Sequence, residues 1–416
     1  MSEKAWYRQV NRDQWKAFWA AYLGWMLDGF DFTIIALLLV DIQNSFGVNN
    51  AMAGALVSAT LLFRVVGGAG AGTAADRWGR KIPLVLSILW YSVFAFLSGF
   101  APTIQVLMIC RALFGIGMGG VWAAGMPLAL EHWPANLRGI ASGFLQGGYA
   151  MGYILSATVY AFIYPLVRNQ ENLGWRAMLW LGILPSVVGV WIALQVKESP
   201  VWLERQKTLR AGRRTEAFSM ARLFGRELLP VTTHSILLMS SLLFLYNSIW
   251  TFYPRWLEQQ GVRALPFLVS FNVGGVLGGI AIGRLSETRL GRRGACALAT
   301  VIGFASIPLY LFTNQPPLIF IGAFTMGFFG TGNFGVAPGY LSERFPTAAR
   351  AAGAGFSYQA GAGLAAVTAT LIGAMLDRGV TLTTAMSACI ALGSVLVVLL
   401  LWLGPETRGR EFKATD

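Results

Sequence analysis

The sequence predicts an all-α membrane protein of twelve transmembrane helices, arranged as two pseudo-symmetric six-helix bundles. Hydrophobic residues make up 55% of its 416 residues and charged residues only 12%, and the mean hydropathy is +0.57. A soluble chain of this length lacks the interior volume to bury so much apolar surface. Apolar runs of about 20 residues, the length of a helix that crosses hydrocarbon, recur along the whole chain.

Turn and charge signals divide the apolar runs into individual spans. The first 15 residues are polar and precede a long apolar run without a small-residue cleavage site, which predicts an uncleaved first helix rather than a signal peptide. The twelve predicted spans are 16–40, 52–74, 82–101, 104–130, 141–165, 176–196, 232–254, 266–286, 294–313, 317–341, 352–376 and 381–403.

Lysine and arginine set the orientation, because cytoplasmic loops carry an excess of both. With both termini in the cytoplasm, only five of the 32 basic residues lie on the opposite side, namely Arg168, Arg176, Arg255, Arg263 and Arg378. We therefore expect a multi-pass protein of the cytoplasmic (inner) membrane with cytoplasmic termini. The net charge of +13 then faces anionic lipid, and no nucleic-acid partner is expected.

The longest polar segment divides the chain into six plus six spans. It predicts an N-terminal bundle at 1–196, a cytoplasmic central loop at 197–231, and a C-terminal bundle with a short cytoplasmic tail at 232–416. The basic run "ERQKTLRAGRR" inside the loop is compatible with an amphipathic helix on the inner leaflet and equally with a charged linker.

Several motifs occur once in each half. "GTAADRWGRK" follows span two, and "GRLSETRLGRR", one residue longer, follows span eight. The pattern Glu-x-aromatic-Pro-x-x-x-Arg begins at Glu131 and again at Glu343, and "KESP" after span six is echoed by "PETRG" after span twelve. Repeats at corresponding places in two halves are typical of secondary transporters.

The loop after span two resembles the signature loop of the major facilitator superfamily, and the paired Glu-x6-Arg elements resemble those of its sugar-porter and organic-acid branches. The resemblance implies the major facilitator fold and a cytoplasmic charge cluster that holds the outward-facing state. The second-half loop departs from the pattern by its insertion and by Thr288. As an alternative, these charges only fix topology. The residues of the implied latch are Asp76, Arg80, Glu131, Arg138, Glu287, Arg292, Glu343 and Arg350.

Four charges at membrane depth belong to the first half alone: Asp28, Asp31, Arg64 and Arg111. When the halves are aligned, Arg64 falls opposite Gly275 and Arg111 opposite Ala323, and span seven holds no carboxylate. A charge at mid-bilayer costs about 3 kcal/mol on insertion scales. Because the second half closes without such charges, the scaffold itself does not require them.

A coupling role explains these charges. Arg64 lies 12 residues before Asp76, roughly 18 Å above the inner surface and level with Asp28. If a substrate anion takes Arg64, the aspartate it had neutralised gains a proton. We assign substrate binding to Arg64 and proton coupling to Asp28, Asp31 and Arg111. The alternative is a buried ion-pair network that only fixes helix packing.

Weaker candidates for the cavity are polar side chains of spans five, seven and eleven, for each of which a helix–helix hydrogen bond is the favoured alternative. They are Gln146, Tyr149, Tyr246, Asn247, Tyr358 and Gln359.

Local motifs narrow the resemblance. "LDGFD" in span one is similar to the D-G-x-D element of organic-acid:proton symporters, and "LLFRVVGGAGAGTAADRWGRK" is closer to the sialate and lactate/pyruvate symporter branch, which carries an arginine in span two. Span seven, "HSILLMSSLLFLYNSIW", lacks the His-Gln-Asp-rich element of fungal lactate permeases, so lactate itself is not implied.

We therefore expect a secondary active transporter that imports an organic-acid anion, such as a sialate or small monocarboxylate, together with a proton by alternating access. The proton gradient is its energy source, no other cofactor and no metal are expected, and the protein is predicted to be monomeric. No nucleophile–base pairing indicates an enzyme, and no Walker-type loop indicates ATP. The alternatives are an aromatic-acid or sugar-type transporter on the same scaffold and a non-transporting membrane sensor.

Overall fold

The computed structural model describes residues 6–48, 50–168, 173–212 and 219–412, and this part of the chain contains helices and no strand. Short 3-10 helices lie at Trp6–Arg8, Ala135–Leu137, Leu181–Ile183 and Gly332–Gly335, and a π-helix at Met326–Thr331. The α-helices are α1 (Arg12–Phe46), α2 (Asn50–Trp78), α3 (Lys81–Ser98), α4 (Ile104–His132), α5 (Arg138–Val167), α6 (Gly174–Trp180), α7 (Pro185–Gln195), α8 (Pro200–Gly212), α9 (Ser219–Leu223), α10 (Leu229–Trp250), α11 (Tyr253–Gln259), α12 (Ala264–Leu285), α13 (Gly291–Ala305), α14 (Ile307–Leu311), α15 (Pro316–Thr325), α16 (Ala337–Arg344), α17 (Arg350–Ala365), α18 (Val367–Asp377) and α19 (Leu382–Leu403).

The all-α prediction is confirmed, and each predicted span falls on helix. Within the described residues, eleven helical stretches are long and apolar enough to cross a membrane. The predicted ninth span, 294–313, is the exception because it is divided at Ser306 into α13 and α14. Pro308 lies in the first turn of α14, and a proline there removes a helical N–H and crowds the preceding turn.

The first helix shows how local sequence sets its limits. The Asn11 side chain accepts a hydrogen bond from the Gln14 backbone N–H at 2.9 Å, and the Gln14 side chain accepts one from the Asn11 N–H at 2.8 Å. This reciprocal capping box satisfies two N–H groups that a helix start leaves free. Gly47 ends the helix with φ 62°, a left-handed conformation that glycine adopts without strain.

Matching glycines place the helix crossings of both halves in the same register. A methyl group on Gly67 would overlap the Ile116 carbonyl, and one on Gly278 would overlap the Phe328 carbonyl. Gly115 against Thr60 and Gly327 against Phe271 form a second matched pair of crossings. Spans two and four thus pack like spans eight and ten, and the internal alignment that sets Arg64 opposite Gly275 describes equivalent positions in space.

The halves meet chiefly through two helix pairs, α2 with α17 and α5 with α12, and α4 also contacts α17. The central segment contributes α8 and α9, and most of the basic run lies on α8, although residues 213 and 214 lie outside the described residues. The Trp202 indole of α8 donates to the Asp76 carbonyl at 2.9 Å, which ties the segment to the end of α2. The proposed domain boundaries stay a prediction.

Candidate functional site

The pair at the centre of the first half is Asp28 on α1 and Arg64 on α2. The Arg64 Nη2 lies 3.7 Å from the Asp28 Oδ2, and Asp28 is fully buried. That separation is an ion pair but too long for a hydrogen bond. Among the described residues, neither Asp28 oxygen has a hydrogen-bond partner, nor do the Nε and Nη2 of Arg64. The guanidinium therefore neutralises the carboxylate while keeping donors for another acceptor.

Aromatic side chains surround this pair. The Arg64 Cζ lies 5.2 Å from the centroid of the Trp25 ring, within cation–π range. The Tyr149 ring lies 4.9 Å from Trp25. From the second half, Tyr358 stacks on Trp122 at 4.4 Å and meets Trp25 edge-on at 6.2 Å. Rings from both halves therefore enclose the buried side of Arg64.

Asp31 belongs to a different environment from Asp28, although the two share one helix face. Its strongest attractive interaction is with Arg111 of α4, which is 1% exposed. No guanidinium nitrogen of Arg111 has a hydrogen-bond partner among the described residues, and its Cζ lies 4.8 Å from the Phe114 ring centroid. The fully buried Tyr91 interacts electrostatically with Asp31 and Asp28. Asp28–Arg64 is thus an ion pair, whereas Asp31 and Arg111 attract each other at longer range without an ion pair within 4.0 Å among the described residues.

The weaker candidates separate into two kinds. Asn247 donates to the Ala365 carbonyl at 3.3 Å, which is a helix–helix hydrogen bond. Gln146 Oε1 and Gln359 Nε2 are buried and have no hydrogen-bond partner in the described part of the chain. Tyr246 is half-buried. The two glutamines therefore keep hydrogen-bonding capacity beside the aromatic rings, whereas Asn247 uses its amide between helices.

The charge cluster of the first half, predicted to lie on the cytoplasmic side, centres on Arg80. Its guanidinium binds Glu131 through Nε at 3.2 Å and Nη2 at 3.0 Å, and Asp76 through Nη1 at 3.0 Å. It also donates to the carbonyls of Ala75 and of Thr347 in the other half. Burial by itself lowers the pKa of Arg80, but the Glu131 and Asp76 carboxylates outweigh it and raise that pKa above the usual value.

Two further contacts carry this cluster across to the second half. The Asp76 carboxylate accepts hydrogen bonds from the backbone N–H groups of Ala351 and Ala352, each at 3.0 Å, at the start of α17. A carboxylate there is favoured by the free N–H groups and by the helix dipole. Arg350 binds Glu131 through Nη1 at 2.8 Å. The predicted latch residues of the first half therefore bridge both halves.

The second-half cluster is likewise centred on an arginine, Arg292, but it makes fewer contacts to the opposite half. Arg292 binds Glu343 at 3.2 and 2.9 Å, Glu287 at 2.8 Å, and Ser286 at 2.7 Å. Glu287 accepts one bond across the halves, from the Gly139 N–H at the start of α5. Glu287 thus accepts one backbone hydrogen bond from the opposite half, where Asp76 accepts two.

Arg138 differs from its repeat partner Arg350. Among the described residues it forms no ion pair within 4.0 Å, and donates instead to the Leu130 carbonyl at 3.2 Å and to the Arg410 carbonyl at 2.7 Å. The cross-half ion pair that Arg350 makes with Glu131 therefore has no counterpart between Arg138 and Glu343. The prediction of a latch role for these residues remains untested by their placement.

Sequence reasoning missed the residues that cap these clusters. Glu198 accepts from the Arg80 N–H at 2.8 Å, and Glu406 accepts from the N–H groups of Arg292 and Arg293 at 2.8 and 3.0 Å. Burial by itself raises the pKa of Glu406, but backbone N–H groups lower it below its usual value, the donors being Arg408, Arg292, Arg293 and Thr407. The echo of "KESP" in "PETRG" was the signal that could have found both glutamates.

Trp25, Trp122 and Tyr91 were also missed. Trp25 lies three residues before Asp28, so its position on the same helix face was readable from the sequence. Tyr91 lies in span three and Trp122 in span four, where isolated aromatic residues in apolar helices give no such signal. In the part of the chain that the structure describes, no group of three or more His, Cys, Asp or Glu side chains is placed to hold a metal ion.

A model of the Major Facilitator Superfamily matches residues 21–357 of the chain. The match covers most of the chain, and the chain therefore belongs to the major facilitator superfamily. This confirms the family, the fold class and the prediction of a transporter rather than an enzyme.

Two relatives match the chain over nearly its full length. The chain is 33% identical to a probable 4-methylmuconolactone transporter of Cupriavidus pinatubonensis, over 97% of this chain and 94% of that protein. It is 30% identical to the sialic acid transporter NanX of Escherichia coli, over 98% of each. These relatives agree with the organic-acid branch that the motifs indicated.

Among solved structures, the chain resembles the proton:xylose symporter XylE bound to 6-bromo-6-deoxy-D-glucose. The TM-score is 0.74, the sequence identity is 21%, and the match covers 96% of this chain and 97% of that chain. At this identity the likeness extends to the fold alone, and it agrees with the predicted arrangement of helices.

Proposed function

We propose that this transporter imports an organic-acid anion together with a proton across the cytoplasmic membrane, with both termini in the cytoplasm. The observation that carries the proposal is the Asp28–Arg64 pair, held at 3.7 Å inside the membrane-spanning part of the first half. The position of basic residues supports the orientation, because few of them fall on the outer side.

The first step is capture of the anion by Arg64. A guanidinium presents a planar fork that holds a carboxylate through two parallel hydrogen bonds. The Nε and Nη2 of Arg64 have no other partner among the described residues, so both are free for such a pair. The Trp25 ring, 5.2 Å from the Arg64 Cζ, limits the directions in which the guanidinium can turn.

The second step is proton uptake by Asp28. Once the substrate carboxylate binds Arg64, Asp28 must share with a second anion the one ion-pair partner that it has in the described part of the chain. A buried carboxylate that loses its counter-charge is stabilised by taking up a proton. Asp31 lies about one helical turn beyond Asp28 on α1, and Arg111 lies on α4. In this proposal these two residues take part with Asp28 in coupling proton movement to transport.

The electrical work explains why a proton accompanies the anion. Moving one negative charge into a cell at a potential of about −100 mV costs roughly 2.3 kcal/mol. One proton carried with the anion cancels that cost, and a pH gradient that is acidic outside then drives accumulation. The buried, overall neutral set of two carboxylates and two guanidiniums supports this exchange of charges.

Arg64 also favours an anionic substrate over a neutral sugar. A sugar offers no charge to satisfy a guanidinium in the membrane, and burying an unpaired charge is costly. The two relatives are named for a methylmuconolactone and for sialic acid, so the names support an organic acid without narrowing it to one. A sugar-type substrate is retained as the alternative to test.

Uptake into proteoliposomes tests the proposal directly. The purified protein is reconstituted, an inwardly directed proton gradient is imposed, and accumulation is measured for a panel of organic acids with xylose as the neutral compound. We expect at least one acid to accumulate, and a protonophore to abolish the accumulation. Accumulation of xylose alone, or of an acid irrespective of the pH gradient, would contradict the proposal.

A further inference from the structure

The C-terminal segment 405–412, here called the tail, crosses the cytoplasmic ends of both halves. It is fixed to the second half at its start, where Thr407 donates to Glu343 at 2.7 Å and Tyr340 donates to the Pro405 carbonyl at 3.0 Å. Further along, the Arg410 carbonyl accepts from Arg138 of the first half at 2.7 Å. The tail is therefore anchored to one half and bonded to the other.

Phe412 is the residue that contacts both halves at once. The Cζ of Arg138 lies 3.6 Å from the centroid of its ring, and the Cζ of Arg350 lies 3.8 Å from the same centroid. Both distances are well inside the range of cation–π contact, and Phe412 itself is half-buried. Two guanidiniums from equivalent positions of the repeat thus share one aromatic ring.

The Phe412 ring attracts two guanidiniums that would otherwise repel each other. Arg138 and Arg350 carry the same charge and repel each other at short range. Arg350 is compensated by Glu131 at 2.8 Å, whereas Arg138 has no ion pair within 4.0 Å among the described residues. An aromatic face attracts both guanidiniums through its negative quadrupole. Phe412 therefore compensates the half that lacks a carboxylate bridge.

We propose that Phe412 is a positioning residue that keeps the cytoplasmic side closed by binding Arg138 and Arg350 at the same time. Arg138 moves with the first half and Arg350 with the second, so opening this side separates them and the ring keeps one of the two contacts at most. The tail therefore contributes to the closed state only. The inference depends on cytoplasmic closure and not on the substrate or the proton.

Phe412→Leu and Phe412→Tyr form the matched test. Leucine keeps an apolar side chain of similar volume and removes the π face, whereas tyrosine keeps the ring. Phe224→Leu is the control, because Phe224 is an exposed cytoplasmic phenylalanine whose ring partner is Phe356 and not an arginine. All variants are made in the full-length chain with the buried Cys110, Cys296 and Cys389 replaced by alanine.

The reporter is Ser142→Cys, because Ser142 is fully buried at the seam between the halves and accepts from the Gly339 N–H at 3.2 Å. Its rate of labelling by a thiol reagent in lipid nanodiscs follows cytoplasmic opening and needs no substrate. We expect Phe412→Leu to raise this rate by roughly 5- to 30-fold, the loss expected for one or two cation–π contacts. Phe412→Tyr and Phe224→Leu should stay near the parent rate.

Three outcomes would overturn the proposal. The first is an unchanged labelling rate in Phe412→Leu. The second is an equal rise in Phe412→Tyr, which would mean that the ring has no special role. The third is an equal rise in Phe224→Leu, which would indicate general loosening of the cytoplasmic face. Thermal unfolding of each variant in nanodiscs is measured in parallel, and a rise confined to a variant with unchanged unfolding temperature supports the specific contact.

Discussion

The two halves of this transporter cross their helices at equivalent glycines but differ in what they carry inside the membrane. Gly67 and Gly278 meet carbonyls at matching places in span four and span ten. Three residues before each glycine, the first half has Arg64 and the second has Gly275. The second half therefore serves as a built-in reference, because it shows the same packing achieved without charge at that position.

The charge clusters centred on Arg80 and on Arg292 are a second difference between the halves. Both place an arginine between two acids, but Asp76 accepts two backbone N–H groups of the opposite half, whereas Glu287 accepts one. Among the described residues, only the first cluster includes an ion pair between halves, from Arg350 to Glu131. The two halves of the duplicated scaffold thus differ in content: the first half holds the four charges at membrane depth, and its charge cluster makes more polar contacts to the opposite half than the second cluster does.

Replacing Asp28 by asparagine is expected to have the largest effect, because it removes a charge that the second half does without. Asp28→Asn should abolish accumulation driven by a pH gradient, since asparagine takes up no proton. Exchange of labelled for unlabelled substrate should continue, because Arg64 still binds the anion. Both are measured in the same proteoliposomes.

Asp377→Asn, on the exposed outer end of α18, is the matched control for this change and should leave accumulation intact. If Asp28→Asn accumulates substrate as well as the parent protein, Asp28 has a packing role only, and the two halves differ in structure but not in chemistry.

Arg64→Lys should have the next largest effect, on affinity. Lysine keeps the charge but lacks the planar fork that binds a carboxylate bidentately. A hydrogen bond to a charged group is worth about 1.5–3 kcal/mol, so we expect substrate to bind roughly 10- to 150-fold more weakly. Binding is measured by the concentration dependence of exchange.

Arg111→Lys is the partner experiment within the same half. Because the carboxylate that interacts with Arg111 is that of Asp31, this substitution should change the pH dependence of uptake more than the affinity. Loss of affinity in Arg111→Lys with normal binding in Arg64→Lys would move the anion site to span four.

Asp76→Asn and Glu287→Gln compare the two clusters, with the smallest expected effects. Asp76→Asn removes one of the two charge-assisted hydrogen bonds across the halves, because the amide NH2 group accepts none, and weakens the other, so labelling of the cysteine introduced at position 142 should rise by roughly 10- to 100-fold. Glu287→Gln weakens one, and the rise should be several-fold smaller. Equal rises in labelling rate would show that the larger number of hydrogen bonds between the halves at Asp76 does not further stabilise the closed state.

The sequence by itself determined most of the scaffold. Spans of apolar residues are fixed by the thickness of the bilayer, so their number and approximate limits follow from hydropathy. The repeated motifs revealed the two halves, and the alignment of glycines already set Arg64 opposite Gly275. The insertion in the second-half loop was visible too, although its consequence for Glu287 was not.

The tertiary structure alone decided which charges meet. Asp28 and Asp31 lie on one helix face. The packing of α2 and α4 against α1 places Arg64 beside Asp28, and it makes Arg111 the cation that interacts with Asp31. Likewise Phe412 lies in a polar tail without periodicity, and only the approach of two distant helix starts gives it Arg138 and Arg350. Local hydropathy patterns indicate which segments contact lipid, because that contact depends on each segment alone. Contacts between residues far apart in the sequence depend on how the helices pack.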